Sequence, residues 1–568
     1  MDLNRKEIPY ILFLLVFTTI ITIIMINFNN QIGVYCSDVY VYLLNSLNFA
    51  GIDLGSHSPL YLSPVICFCT SLLFRLGYVD ITAIYIVTGV FAIFGMVGFY
   101  LLLRYRFNKL LSLTGAILLF SLSLNLLWLA NGTLDIPAVG LTVWTSLFFI
   151  LAVDKNHRYY WLFLLFFILS FFTRFTTILI LPALLVYFMG KYDVFKFFDN
   201  LLSDREALHE RFDSVMNHRK TKRILTAIIV GIILIIVLLV IFCVVTGSFP
   251  FLYLVKSFNA GFNTNKYDSA YNTNTWFYIL NFLNFLFASK ISIGTGFLKM
   301  NPASPTSYVV MILTGFGLLT GIINKVKELK ETKTVKLQET FKTKNYSLIL
   351  KIFFTILLIL TILTLGKTSS IVSIILLTLD IVILNKLLEN QKIGGLKFHL
   401  MMLTWFLTYL IAFSLIFVKV NRYILTLMPA FIYFFILAIQ FISEKWNYKI
   451  KNVNTQQILA ILLILVFICS AFTFTSTVNV SQDVKSPLII SNTLKHHDPD
   501  YQNKTIAVYN KRPFTWLLMM KPSVVNEHNR GKLYNGTFTY YISNDKRPNL
   551  NNYHILKHQG KLYLYERD

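Results

Sequence analysis

The sequence predicts an all-α polytopic membrane protein that ends in a small α/β domain. Of its 568 residues, 56% are hydrophobic and only 14% are charged, and the mean hydropathy is +0.63. Long apolar runs recur through most of the chain, and they stop after Ser476, where Asn, Lys, His and Tyr become frequent. A net charge of +24 would suggest a nucleic-acid partner in a soluble protein. Here the cations gather between apolar runs, so we interpret them as topology signals instead.

Twelve apolar runs are candidates for membrane spans. They cover 8–27, 82–103, 110–130, 136–153, 159–189, 224–246, 307–324, 349–366, 370–387, 400–418, 424–442 and 456–476. Another run, 59–77, is short, contains two prolines and ends at Arg75. The run 159–189 is too long for one span and is interrupted by Arg174.

Charge indicates how the two ambiguous runs are placed, because cytoplasmic loops are enriched in Lys and Arg. The basic connections are 104–106, 191–223, 325–344, 386–397 and 445–451. With Arg5 and Lys6 at a cytoplasmic N-terminus, all of them fall inside under one arrangement only. In it, 59–77 lies along the outer surface, and 159–189 folds as two short spans with Arg174 at the outer turn. The prediction is a plasma-membrane protein of about 13 transmembrane helices, with its C-terminus outside.

We expect a membrane domain over 1–476 and a soluble extracytoplasmic domain over 477–568. Residues 31–77 form the first outer loop, with juxtamembrane helices, and 247–306 form a larger one. The aromatic stretch 275–289 is typical of an interfacial helix. Two roles stay open for this helix, a lid over a cavity and an inert membrane anchor. In the outer domain, KTIAVYN, TYYIS and the turn at Gln559-Gly560 predict short strands and a hairpin.

Five polar residues fall on the predicted outer side, at or near span ends, and form the candidate site. They are Asp38, His57, Asp135, Arg174 and Arg422. Each aspartate is near the start of a helical run, so helix capping is an equal alternative for both. Arg174 interrupts an apolar run, where an unpaired cation is costly, which favours a function. Instead of belonging to a site, Arg422 could anchor its helix at the membrane interface, and His57 could be an ordinary exposed residue of a loop.

Several soluble-enzyme signatures are missing from the sequence. There is no repeat, no Gly-rich nucleotide loop and no CxxC pair, and the five cysteines are scattered. The missing phosphate-cradling loop argues against a soluble nucleotide-sugar donor. Asp38 has no adjacent acid, which favours a general base over a metal ligand. A divalent metal stays open, and no other cofactor is indicated.

A series of motifs carries a family resemblance. Asp38 follows the first span, a loop ends in HSPLY, and an Asp precedes the fourth span; SFFTRFTTILILPALLVYF and RYILTLMPAF come later. This order resembles the GT-C glycosyltransferases, and more narrowly the branch of protein O-mannosyltransferases and lipid A aminoarabinose transferases. The resemblance extends from Gln31 to about Ile442. The chain departs from the pattern with a single acid at Ser37-Asp38, with His57-Ser58-Pro59 for a double proline, and with Arg174 for the usual Lys.

The resemblance implies a membrane glycosyltransferase. Such enzymes move a hexose or pentose from a polyprenyl phosphate, for example dolichyl phosphate mannose, to an acceptor on the outer side, usually with inversion. The acceptor would be a protein, lipid or glycan. A multispan transporter, a lipid flippase and a non-catalytic relative stay open as alternatives. Against transport, no inverted repeat is evident, and the polar residues gather at one face instead of the bilayer midplane.

The resemblance also implies roles for individual residues. Asp38 would be the general base, and Asp135 would share that role or position the acceptor. Arg174 and Arg422 would bind the donor phosphate, since guanidinium binds phosphate oxygens bidentately. Further substrate contacts would come from His57, Tyr61 and Tyr423.

Overall fold

A computed structural model gives the architecture of most of the chain. It describes residues 5–54, 64–192, 274–294, 297–333, 341–389, 391, 393–416, 419–450, 453–525, 530–546, 550 and 552–568, with scattered positions between 222 and 244. His57 and Tyr61 lie outside the described residues, as do 11 of the 23 positions of the run 224–246 and all of 247–273.

All the regular elements in the first part of the chain are helices. The helices are α1 (Ile8–Ile32), α2 (Asp38–Phe49), α3 (Pro64–Arg75), α4 (Ile81–Arg104), α5 (Lys109–Ser121), α6 (Ser123–Trp128), α7 (Asp135–Asp154), α8 (Tyr159–Thr173) and α9 (Leu181–Tyr192). Two of them begin at side-chain caps, because Asp80 accepts from the Thr82 N–H and Asn108 from the Leu111 N–H. A 3-10 helix, Phe175–Ile180, leads into α9.

The second part of the membrane domain continues in the same way. Its helices are α10 (Phe277–Leu280), α11 (Phe282–Leu286), α12 (Pro305–Lys333), α13 (Phe341–Thr364), α14 (Ser370–Glu389), α15 (Leu396–Leu415), α16 (Met428–Lys445) and α17 (Thr455–Phe472). A 3-10 helix, Asn421–Leu427, precedes α16. The short strands are β1 (Ile291–Gly294), β2 (Phe297–Met300), β3 (Lys449–Ile450) and β4 (Val453–Asn454).

The described residues include nine helices that are long and apolar enough to cross a membrane, and four shorter apolar ones. The predicted polytopic helical class is therefore confirmed. The short helix α3 is 12 residues long, about 18 Å at 1.5 Å per residue, which is too short to cross about 30 Å of hydrocarbon. This length agrees with a surface position for 59–77.

The run predicted as one span over 110–130 is interrupted. Helix α5 ends at Ser121, Leu122 is extended, and α6 begins at Ser123. The Asn125 amide donates to the Phe120 carbonyl over 3.1 Å, which satisfies a backbone group that the interruption frees. The candidate span 110–130 is therefore made of two helices, and the buried Asn125 amide supplies a partner for one of the freed carbonyls.

A pair of glycines lies at the crossing of α4 and α7. A Cβ built on Gly95 of α4 would lie only 2.6 Å from the Cα of Gly140 on α7. No side chain fits there, so the two backbones approach directly, as small residues allow in membrane bundles. The crossing matters for the site because α7 begins with Asp135.

Ion pairs at one end of the bundle fix the direction of the helices. Glu7 accepts from Tyr100 over 2.7 Å and forms an ion pair of 2.8 Å with Arg104. Tyr105 donates to Asp154, which also pairs with Lys191 at 3.1 Å. These residues therefore share one end of the bundle, and Asp135 and Arg174 lie at the other ends of the same helices. The grouping is the one that the charge rule expects; which end faces the cytoplasm stays a prediction.

The C-terminal segment forms a small α/β unit. Its strands are β5 (Val478–Val480), β6 (Ile506–Val508), β7 (Ser523–Val524), β8 (Tyr540–Ser543), β9 (Tyr553–Gln559) and β10 (Leu562–Arg567); its helices are α18 (Ser486–His497), α19 (Lys511–Leu518) and α20 (Arg530–Tyr534). The last strands make one mixed sheet in the order β7-β6-β8-β10-β9, with β6 parallel to β7 and β8. The predicted strands and hairpin are present.

Several contacts join this unit to the membrane domain, among them a strand pair and an aromatic stack. Strand β5 pairs in parallel with β1, so Ile291 lies opposite Val478 in a three-stranded sheet. On α19, the Trp516 ring stacks on Phe74 of α3 with centroids 5.7 Å apart. The unit therefore lies against α2 and α3, beside the start of the candidate site.

Candidate active site at one end of the helical bundle

Four of the predicted residues form one network of ion pairs. Arg174 pairs with Asp135, and Arg422 Nε lies 3.6 Å from the other oxygen of the same carboxylate. Arg422 Nη2 also contacts Asp38 Oδ2 at 2.5 Å. Residues far apart in sequence thus meet in one site.

Irregular backbone places the two arginines in the network. Arg174 has extended backbone between α8 and the following 3-10 helix, so its side chain leaves the helical surface. Arg422 lies in the 3-10 helix before α16. Non-helical backbone at the end of a span is tolerated where protein encloses it, and it brings both guanidinium groups to the helix ends.

The aspartates contact arginines and do not act as helix caps. Asp38 is the first residue of α2 and Asp135 the first residue of α7. The cap positions are occupied by Ser37 and Leu134, and neither makes a side-chain cap hydrogen bond. The alternative that both acids serve only to cap helices therefore finds no support.

Aromatic rings lie under both guanidinium groups. The Arg174 Cζ atom is 4.8 Å from the Tyr423 ring centroid, and the Arg422 Cζ atom is 5.6 Å from that of Trp128. Such cation–π contacts gain strength in a desolvated site. The Trp128 ring in turn packs against Tyr35, with centroids 5.6 Å apart. Tyr423 thus has a defined place in the network, as a platform under Arg174.

The site includes residues that the sequence reasoning missed. Cys36 Sγ lies 3.2 Å from Arg422 Nη1, and Trp128 lies under the same guanidinium. Burial and the charge of Asp38 raise the pKa of Tyr42, which lies on the same helix. Position 42 is one helical turn after Asp38 on the same face of α2, a spacing that could have identified it.

Exposure separates the two carboxylates. The side chain of Asp135 is 1% exposed, whereas that of Asp38 is 36% exposed. Arg174 and Arg422 are intermediate, at 14% and 12%. Of the two acids, only Asp38 is open to a substrate without a rearrangement.

Electrostatics keeps Asp38 ionised. Burial alone would raise the pKa of Asp38, but the charge and hydrogen bond of Arg422 outweigh it, and Arg512 and Arg174 act in the same direction. The pKa therefore lies below its ordinary value, and the group is a carboxylate at neutral pH. A half-exposed carboxylate beside two largely buried guanidinium groups can accept a proton while the cations bind an anion.

Part of the prediction concerns residues that the structure leaves undescribed. His57 and Tyr61 are among them. The described residues contain no group of three or more His, Cys, Asp or Glu side chains that could hold a metal ion. Both carboxylates of the network face guanidinium groups, so these donors do not fit a divalent cation in this arrangement.

The aromatic stretch 275–289 packs against the bundle near the site. Tyr278 donates to the Val420 carbonyl over 3.0 Å, and Val420 immediately precedes the 3-10 helix that carries Arg422. Phe282 packs edge-on against Phe431 with centroids 4.9 Å apart. The segment is thereby part of the wall that holds Arg422.

Comparison with known proteins gives both a sequence match and a fold match. A family model described as dolichyl-phosphate-mannose-protein mannosyltransferase matches residues 57–198. The structure of ArnT from Cupriavidus metallidurans in the apo state aligns with a TM-score of 0.52 at 10% identity, covering 97% of each chain. The same protein bound to undecaprenyl phosphate aligns with a TM-score of 0.50, also at 10% identity and 97% coverage of each chain.

A third structure is that of the archaeal oligosaccharyltransferase AglB from Archaeoglobus fulgidus, in complex with an inhibitory peptide and a dolichol-phosphate. It aligns with a TM-score of 0.47 at 11% identity, over 95% of this chain and 70% of that one. No curated protein sequence matches the chain.

The comparisons show the fold of the chain. The chain has the fold of ArnT over nearly its whole length, and it is thus a membrane protein of GT-C architecture. The family match narrows the resemblance to the dolichyl-phosphate-mannose-protein mannosyltransferases over 57–198. The resemblance found in the sequence motifs is thereby confirmed.

Proposed function

We propose that the protein transfers a sugar from a polyprenyl-phosphate donor to the hydroxyl of an acceptor on the outer face of the plasma membrane. The observation that carries the proposal is the single network in which the half-exposed Asp38 pairs with Arg422, and Asp135 joins Arg422 to Arg174. A carboxylate and two fixed cations are the groups that this reaction requires. The family match and the fold support the same reaction class.

The two arginines bind the phosphate of the donor. When the bond between the anomeric carbon and the phosphate oxygen breaks, the phosphate gains one negative charge. Arg174 and Arg422 are held in place before the reaction, so they stabilise this charge without reorganising. The lipid phosphate in the ArnT structure agrees with such a donor.

Asp38 accepts the proton of the attacking hydroxyl. The hydroxyl oxygen forms the new bond to the anomeric carbon, its proton passes to Asp38, and the bonding pair leaves with the phosphate. A single displacement of this kind inverts the anomeric configuration. Because phosphate competes with Asp38 for Arg422, donor binding also frees the carboxylate from its ion pair.

Asp135 has a different role from Asp38. It is 1% exposed and contacts both Arg174 and Arg422, so it orients the two guanidinium groups towards the phosphate. Tyr423 supports Arg174 from below. His57 and Tyr61 contact the substrates, as the resemblance implies.

The test is transfer of radiolabelled sugar from a panel of polyprenyl-phosphate sugars in membranes that contain the protein. Label in a product that is absent from membranes without the protein supports the proposal. No transfer from any donor, together with movement of the labelled lipid across the bilayer, would instead favour a flippase.

Sidedness has its own test. A cysteine placed at Thr176, next to Arg174, should react with a membrane-impermeant thiol reagent added outside. A cysteine at Lys155, at the opposite end of the bundle, is the matched control. Labelling of the Thr176 position only from the cytoplasmic side would contradict the outer location.

A further inference from the structure

Helix α19 of the C-terminal unit is built into the wall of the candidate site. Trp516 is buried in the same hydrophobic cluster as Val39 and Leu43 of α2, and it stacks on Phe74 of α3. Met519 packs against this cluster as well. The face of α19 that carries Trp516 is therefore anchored beside the helix that begins with Asp38.

Arg512 lies in the first turn of this anchored helix. Its backbone N–H donates to the Asn510 side chain, which caps α19. Its side chain is exposed, and no ion pair links it to any described residue. Lys511 is its neighbour in the same turn. Two cations at a helix N-terminus are unfavourable to the helix dipole, so helix stability does not explain them.

The charge of Arg512 reaches Asp38. Lys521, after the end of α19, pairs with Asp53, after the end of α2, at 3.8 Å, so the two helices run in the same direction and Arg512 lies towards the Asp38 end of α2. Its charge is among those that lower the pKa of that carboxylate, together with Arg422 and Arg174. Arg422 comes from the membrane domain and Arg512 from the C-terminal unit. Both therefore approach the same carboxylate, and an anion next to Asp38 lies within the influence of both.

The net charge of the site with bound substrate favours a further cation. Asp38 and Asp135 balance Arg174 and Arg422, so the network is neutral before substrate binds. A phosphodiester donor adds one negative charge, and the polyprenyl phosphate released after transfer carries up to two. A further cation without a carboxylate partner offsets this added charge.

We infer that Arg512 binds the donor phosphate together with Arg174 and Arg422, so that the C-terminal unit completes the site. The inference rests on the proposed function, since it assigns a third cation to the same phosphate. It also gives the C-terminal unit a part in the reaction.

The test measures binding of undecaprenyl phosphate to the purified full-length protein in detergent, at low and high salt. Arg512→Gln should weaken binding roughly 3- to 10-fold at low salt, because a charge-assisted hydrogen bond is lost. The difference should shrink at high salt, since an exposed charge is screened. Arg512→Lys should bind more tightly than Arg512→Gln. The matched control, Lys511→Gln, should bind like wild type.

Three results decide the matter. Equal binding by Arg512→Gln and wild type, with equal melting temperatures, would overturn the inference. Equal weakening of binding by Lys511→Gln and Arg512→Gln would also overturn the inference. Long-range attraction between the positive charges and the phosphate would then explain the effect, and no specific contact of Arg512 would be needed. If wild type binds no undecaprenyl phosphate at all, the donor class in the proposed function fails, and the inference fails with it.

Discussion

Asp135→Asn should destabilise the protein strongly, because it removes the carboxylate that holds two buried arginines. The substitution keeps the shape of the side chain and deletes its charge. Asp135 is 1% exposed, and both Arg174 and Arg422 are at most 14% exposed. The variant therefore leaves Arg174 without its carboxylate partner and Arg422 with Asp38 alone.

The magnitude follows from the burial of these groups. Breaking a buried ion pair by removing one partner costs about 3 to 5 kcal/mol. Asp38→Asn is the matched control, since it is the same chemical change in the same network at a half-exposed position. It should cost about 1 kcal/mol or less, because Asp135 still balances Arg422.

The assay is thermal inactivation of the purified variants in one detergent, followed by the loss of monodisperse protein. Asp135→Asn should unfold at a clearly lower temperature than Asp38→Asn. Adding Arg174→Gln to Asp135→Asn should recover part of the loss, since it removes one of the unbalanced charges. Equal midpoints for the two single variants would refute the assignment of Asp135 as the structural centre of the network.

Three other expectations concern charges in and around the site. Arg422→Met should reduce the rate of labelled-sugar transfer by about 100-fold or more. Lys419→Met is the control, since burial lowers the pKa of the Lys419 ammonium to about 8, and it should leave transfer and stability nearly unchanged. Equal losses in the two variants would contradict a specific role for Arg422. Because Arg422 and its neighbours hold the pKa of Asp38 below its ordinary value of about 3.9, the group stays ionised as the pH falls. The pH profile of kcat/KM, which reports the free protein, should therefore show no decline from this group until below about pH 4, and a decline centred near about pH 6 would indicate another base. Glu7→Gln weakens the pair with Arg104 at the far end of the bundle, so it should lower the midpoint of heat inactivation while leaving transfer per folded molecule intact.

Charge in an apolar setting made the network predictable from sequence. Arg174 interrupts a long apolar run, and a cation there has to find a counterion. The charge rule placed Arg174, Asp38, Asp135 and Arg422 on one side, and the structure brings these four together. The positions that could be predicted are those where a missing partner would be costly.

The uncharged parts of the site could not be found in this way. Trp128 and Cys36 lie next to apolar runs, and nothing in their spacing distinguishes them from core residues. Their contact with Arg422 depends on how the helices pack. The interruption at Leu122 is equally hidden, because the local sequence contains neither Pro nor Gly to mark it.

The C-terminal unit shows a second limit of sequence reasoning. Its strands and hairpin followed from alternation and turn residues, which are local signals. The place of Arg512 near Asp38 depends on the docking of α19 against α2 and α3, which involves residues more than 400 positions apart. Such long-range packing carries no local pattern.

The central claim is that Asp38 is the base in sugar transfer from a polyprenyl phosphate. The most direct measurement compares single-turnover transfer of radiolabelled sugar by wild type and Asp38→Asn, at equal amounts of folded protein and saturating donor. We expect the variant to bind the donor and to transfer about 100- to 10,000-fold more slowly, as loss of a general base implies. Transfer at the wild-type rate would contradict the claim.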